Sequence, residues 1–270
     1  MRRLIDAFRR NLDSGHASLI GYLTAGDPRP EYTVRYSEAL IRGGVDVLEL
    51  GAPFSDPVAD GITIQASTQR ALEAGVTLRE VLKIASEIRN KYGTPIVLLS
   101  YLNPIYRMGF NMFFKEASSR GVDGVVVPDL PVEEAAEFRV AAQEASVATV
   151  FLASPTTSDR RLDTILKASS GFVYLVSLLG VTGVRSELSA EALRLIDRVR
   201  ARRERPYIAV GFGVSSPEHV SMLAKKGAEG VIVGSAIVKI VQENLSDPER
   251  CEARLEEFTR KLKEATRFKD

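Results

Sequence analysis

The sequence predicts an α/β fold, a single (β/α)8 barrel, on three observations. Eight short runs rich in Val, Ile and Leu recur along 270 residues, a segment of helical period follows each run, and no linker, low-complexity tract or charge block interrupts the series. Eight strand–helix units within about 250 residues is the barrel count, whereas a doubly wound open sheet usually has fewer strands or a second domain. A hydrophobic content of 45% suffices for one large core. Residues 1–270 are read as a single TIM-barrel domain.

In order, MRRLIDAFRRNLDSG at 1–15 is charged throughout and reads as an extra N-terminal amphipathic helix rather than a signal peptide. The first strand run, ASLIGYLTAGDP at 17–28, leads to a helix over 30–44, and the second, VDVLELGAP, spans 45–53. A loop of Gly, Pro, Ser and Asp then opens an additional short helix at 62–75, ahead of the main helix at 76–93. TPIVLLSYLNP (94–104), VDGVVVPDLP (122–131) and ATVFLASPTT (148–157) are followed by helices at 111–121, 132–145 and 158–171. GFVYLVSLLGVTG (171–183) and PYIAVGFGVS (206–215) precede helices at 186–203 and 216–227. The eighth run, AEGVIVGSAIV at 228–238, passes into a second additional helix at 235–245, and a terminal helix covers 247–268. Gly43-Gly44, Gly93, Gly121, Gly171 and Gly227 end helical runs and are expected to be left-handed caps.

Composition excludes several function classes. A formal net charge of +1, from 36 basic and 35 acidic residues, gives no global field for nucleic acid or a membrane surface. Cys251 is the only cysteine, so no internal disulfide forms, and its thiol reads as a packing group. His16 and His219 are too far apart in the chain pattern to assemble a His-rich metal site. No run offers the roughly 20 apolar residues of a membrane span, and a reducing cytoplasmic setting is expected.

Two constellations carry chemistry. Glu49 lies among apolar residues near the end of the second strand, and Asp60 lies in the loop that follows. An acid in an apolar run is costly if charged and unpaired, so it has a partner, a raised pKa or a chemical role. The structural alternative ties Glu49 to an arginine or a backbone N–H, and makes Asp60 a helix cap. In a barrel, however, the ends of strands and the βα loops face one mouth, which brings both acids to the catalytic end. The second constellation is glycine at the ends of strands six to eight: GVTG at 180–183, GFG at 211–213 and GSA at 234–236. Backbone N–H groups of Gly183, Phe212, Gly213, Gly234 and Ser235, beside Gly211 and the dipole of the 235–245 helix, fit a phosphate. Tyr22, Tyr101 and Tyr174, with Phe54, Ile64, Leu99, Val127 and Phe151, are available to line the space between the two sites. No strand run carries a lysine for a Schiff base, and clustered histidines for zinc are missing. Carbon–carbon cleavage here would leave the two carboxylates acid–base work only, with the substrate supplying its own electron sink.

LELGAPFSDPVADG at 48–61 resembles the signature segment of the tryptophan synthase α-subunit family. The likeness extends over essentially the whole chain through YLTAGDP, VPDLP, GVTG, GFGVS and VIVGSAIV, with mild departures at Ala52, Val58, Ile62 and Leu178-Leu179. The resemblance implies a carbon–carbon lyase that cleaves indole-3-glycerol phosphate to indole and D-glyceraldehyde 3-phosphate. It implies that Glu49 protonates indole C3 and takes the glycerol hydroxyl proton, and that Asp60 binds the indole N–H. Tyr174 would face the glycerol phosphate and Tyr22 the indole, while Thr182 and Gly183 belong to a closing loop. It further implies an α2β2 assembly with a β subunit that holds pyridoxal phosphate, no cofactor in this chain, and a partner surface around Pro53 to Asp56 and Asn103 to Met108. The residues themselves also leave open a sugar-phosphate isomerase or epimerase of the same fold, and a non-catalytic allosteric barrel subunit.

Overall fold

The structure, a computed structural model, describes residues 1–176, 190–211 and 213–268. Its first strands are β1 (Ser18–Thr24), β2 (Val47–Gly51), β3 (Ile96–Leu99) and β4 (Gly124–Val126). They are followed by β5 (Ala148–Val150), β6 (Leu152–Ala153), β7 (Phe172–Val176), β8 (Tyr207–Gly211) and β9 (Gly230–Val233). All pairings between these strands are parallel, in the order β5-β4-β3-β2-β1-β9-β8-β7-β6. Only Phe151 separates β5 from β6, so these two strands are halves of one and the sheet closes into a barrel. At that seam the Tyr174 N–H donates to the Phe151 carbonyl at 3.0 Å. The sixth, seventh and eighth sequence runs are therefore β7, β8 and β9.

Around the barrel lie α1 (Arg2–Asp13), α2 (Pro30–Arg42), α3 (Ile62–Glu73), α4 (Leu78–Lys91), α5 (Leu102–Met108) and α6 (Phe110–Ser119). The second half adds α7 (Ala136–Glu144), α8 (Asp159–Ala168), α9 (Ala190–Arg200), α10 (Pro217–Lys226), α11 (Ser235–Gln242) and α12 (Pro248–Glu264). The three additional helices expected from sequence are α1, α3 and α11. Residues 103–108, expected as a partner-facing loop, instead fall in α5, whose N-cap is Tyr101. Cys251 is buried on α12, as a packing group would be.

The caps are partly corrected. Gly44, Gly121 and Gly227 have positive φ, but Gly43, Gly93 and Gly171 do not. Helices α4 and α8 leave through extended residues, Tyr92 and Ser169, which carry the chain straight toward the next strand.

Strand alternation separates two apolar layers. Outward residues such as Leu19, Leu48, Leu98, Val125, Val210 and Val231 pack against the helices. Inward residues Ile20, Val47, Val97, Val126, Val150, Ala209 and Ile232 fill the barrel together with Leu4, Ala7 and Phe8 of α1. Phe8 stacks on Tyr207 with centroids 4.9 Å apart and lies 5.7 Å from Phe172, so α1 plugs the N-terminal end. The opposite end is left for chemistry.

Candidate active site

Following the same alternation toward the C-terminal mouth gives Tyr22 on β1, Glu49 on β2, Tyr174 on β7 and Gly211 on β8. Tyr22 and Glu49 are register partners on adjacent strands. The Tyr22 ring lies over Gly51, where a Cβ would collide with its hydroxyl, and the Tyr174 ring lies over Gly211, where a Cβ would stand 2.7 Å from a ring carbon. These two glycines make room for the two rings.

Glu49 is 1% exposed, and neither of its carboxyl oxygens has a hydrogen-bond partner among the described residues. No arginine or backbone N–H among the described residues ties it down. Other buried acids are treated differently. Asp123 accepts from Arg89 at 2.8 Å, Arg3 at 3.0 Å and the Ile96 N–H at 3.1 Å, and Asp27 is held by Arg70 at 2.6 and 2.8 Å. Removal from water, and secondarily the nearby charge of Asp60, pushes Glu49 up to about 8. Burial raises Asp60 to about 6, against a lowering by the Tyr101 hydroxyl that hydrogen-bonds it. At neutral pH the pair thus consists of a neutral acid and a carboxylate, the division of labour that acid–base chemistry needs.

Loop geometry sets Asp60. The Tyr101 hydroxyl accepts from the Ala59 N–H at 3.0 Å, and its ring stacks on Phe54 with centroids 5.2 Å apart. Tyr101, expected as a lining residue, therefore clamps both ends of the 54–60 loop. Burial raises the Tyr174 hydroxyl well above its usual value, with Glu49, Tyr22 and Asp60 adding to the effect.

After β8, Gly213 has φ +72° and open space where a side chain would stand. Gly234 caps α11 without a side-chain hydrogen bond, and Ser235 begins the helix, so first-turn N–H groups face outward. Thr182, Gly183 and Phe212 lie outside the described residues. Sequence reasoning missed the buried hydroxyls Thr24 and Ser67 behind Tyr22. Thr24 had a signal, standing two residues after Tyr22 on the same strand face, whereas Ser67 in α3 had none.

The sequence profile of the tryptophan synthase alpha chain family matches residues 8–267. The chain belongs to the tryptophan synthase alpha chain family. It is 47% identical over 251 residues to the tryptophan synthase alpha chain of Methanoregula boonei, covering 93% of this chain and 94% of that one. To the Pyrococcus furiosus alpha chain it is 53% identical over 226 residues, covering 84% and 90%. It superposes with a TM-score of 0.84 on a chain from the solved tryptophan synthase a2b2 complex of Pyrococcus furiosus, at 47% identity and covering 92% and 98%. Family membership and barrel therefore agree, and the mouth described above is where the family's lyase chemistry has to be sought.

Proposed function

We propose that this chain cleaves indole-3-glycerol phosphate to indole and D-glyceraldehyde 3-phosphate, with Glu49 as the proton carrier and Asp60 as the electrostatic partner. The observation that carries this reading is a buried Glu49 without a hydrogen-bond partner among the described residues, pushed up to about 8 by burial and by Asp60, whose own value rises only to about 6. Neutral Glu49 donates its proton to indole C3, which turns the ring into an iminium-like electron sink. The resulting carboxylate takes the proton of the glycerol hydroxyl adjacent to the ring as the carbon–carbon bond breaks. The bonding electrons return to the ring, the hydroxyl becomes the aldehyde, and Glu49 ends as it began. Asp60, held by Tyr101, accepts the ring N–H and stabilises positive charge as it develops.

The phosphate is assigned to Gly213, Gly234 and Ser235, with the α11 dipole favouring a dianion. Tyr174 and Gly211 are assigned to the glycerol part of the ligand, and Tyr22 to the indole. Thr182, Gly183 and Phe212 are assigned to the same ligand on sequence resemblance alone. Residues 1–270 act as one domain in the cytoplasm.

A β subunit carrying pyridoxal phosphate is the proposed partner, in an α2β2 assembly, and this chain needs no cofactor for its own step. The segments that follow β2 and β3 support this: Val58, Ile62, Tyr106 and Met112 there are 85%, 69%, 68% and 53% exposed, four of the eight large apolar side chains exposed among the described residues. The test is incubation of the purified protein with indole-3-glycerol phosphate. Indole release is expected, and Glu49→Gln should lower it by at least ~100-fold while binding of glycerol 3-phosphate persists. Unchanged turnover in the variant would remove Glu49 from the mechanism.

A further inference from the structure

Behind the dyad runs a line of buried hydroxyls whose proton order is fixed by its far end. The Ser67 hydroxyl donates to the Ile64 carbonyl at 2.7 Å. It has one proton, so toward Thr24, whose Oγ1 lies 2.6 Å away, Ser67 acts as acceptor and Thr24 donates. Thr24 in turn has no proton left for Tyr22, whose hydroxyl oxygen lies 3.3 Å from Oγ1, so Tyr22 is the donor of that contact. The order Tyr22 to Thr24 to Ser67 to Ile64 carbonyl is thereby one-way. Thr24 and Ser67 are buried, and Ser67 and Ile64 belong to the first turns of α3, directly after Asp60.

We propose that Thr24 and Ser67 are positioning residues that fix this proton order, so that Tyr22 presents only oxygen lone pairs to the dyad and accepts a hydrogen bond from the ligand. An acceptor aimed at the dyad disfavours a second negative charge there, which supports the neutral form of Glu49. It also makes the aromatic end of the pocket selective for a ligand that donates at this point, either the ring N–H or a glycerol hydroxyl. Among the described residues, the ionisable groups that act on this space are Asp60 from the β2–α3 loop, Tyr22 from β1, Tyr101 from the N-cap of α5 and Tyr174 from β7. The ligand's identity rests on the reaction proposed above. The proton order does not.

Two measurements separate these. In the free protein, the Glu49 side-chain carboxyl is titrated by carbon-13 NMR. Ser67→Ala and Thr24→Val release Tyr22 to donate into the site, and should lower the Glu49 midpoint by about half a unit or more. Thr24→Ser keeps the line of hydroxyls and should restore the wild-type midpoint. A midpoint unchanged in both disrupting variants, with thermal unfolding confirming that they are folded, overturns the proposal whether or not indole is formed. For the ligand, indol-3-ylpropyl phosphate keeps the ring N–H and the phosphate but lacks both glycerol hydroxyls. If Tyr22→Phe weakens its binding about fivefold or more, the ring N–H is the donor. If only KM for the full substrate rises, a hydroxyl is. If neither moves, Tyr22 does not accept from the ligand and that half of the proposal fails.

Discussion

Asp123 is surrounded by two guanidiniums and a backbone N–H, while Glu49, equally buried, meets none of these. For a carboxyl inside a barrel this difference separates structural tethering from acid chemistry. Two consequences follow from the Glu49 value of about 8 and the Asp60 value of about 6. The proposed reaction needs Glu49 protonated and Asp60 ionised. The profile of kcat/KM for indole release should therefore be bell-shaped, falling above about pH 8 and below about pH 6. Because the two acids interact, the limbs report the pair. Stability should respond as well. A carboxyl whose folded-state pKa exceeds its unfolded value near 4.5 binds more protons in the native state, so native stability falls as pH rises from there to about 8 and stays reduced above. Glu49→Gln removes that loss. Its advantage over wild type in urea unfolding should grow across this window to several kcal/mol, at about 1.4 kcal/mol per unit. A margin independent of pH would contradict a buried, titrating Glu49. Sequence alone placed Glu49 and Asp60 at one mouth, since strand alternation and barrel polarity determine that. It left open whether an arginine answered Glu49, because a partner distant in sequence leaves no local pattern.

Elements show how the backbone prepares this chemistry. Gly51 ends β2 directly under the Tyr22 ring, with no positive φ, so Gly51→Ala strains packing and not the backbone. The added methyl must displace Tyr22. Indole release should fall by about tenfold or more, with a smaller loss in stability of about 1–3 kcal/mol from overpacking. A double-mutant cycle with Tyr22→Ala should show strong coupling, and additive losses would mean that the ring moves freely. At the far end, Phe8→Ala should cost about 3–5 kcal/mol by emptying the space between Tyr207, Phe172 and Gly230. KM should stay unchanged, since α1 seals the end opposite the mouth. The strands and most helices were legible because buried Val/Ile/Leu runs and helical period are local signals. The break of the fifth strand at Phe151 was not, since it follows from closing the sheet between β4 and β7. Nor was α5, where Pro104 inside a short polar-apolar run reads as a loop although proline is tolerated in a first helical turn.

Over the whole molecule, the barrel divides its surface by function. The N-terminal end is closed by α1 and by ion pairs of Asp123 with Arg3 and Arg89, while the C-terminal end carries the two acids and, in the segments after β2 and β3, the exposed Val58, Ile62, Tyr106 and Met112. Tyr106 on α5 and Met112 on α6 stand apart from the dyad, yet α5 is capped by Tyr101, whose hydroxyl holds Asp60. A partner seated on α5 and α6 would therefore press on the element that positions Asp60, without touching the substrate. Association would then be coupled to catalysis through a helix, provided the partner favours one setting of Asp60 over another. Tyr106→Asp places a charge on that surface. Binding to the β subunit, measured by titration calorimetry, should weaken by about tenfold or more. Basal indole release by the isolated chain should be unaffected, and the stimulation by added β subunit should require correspondingly more of it. Equal affinity of variant and wild type would move the contact surface away from α5 and leave the exposed tyrosine without a partner role.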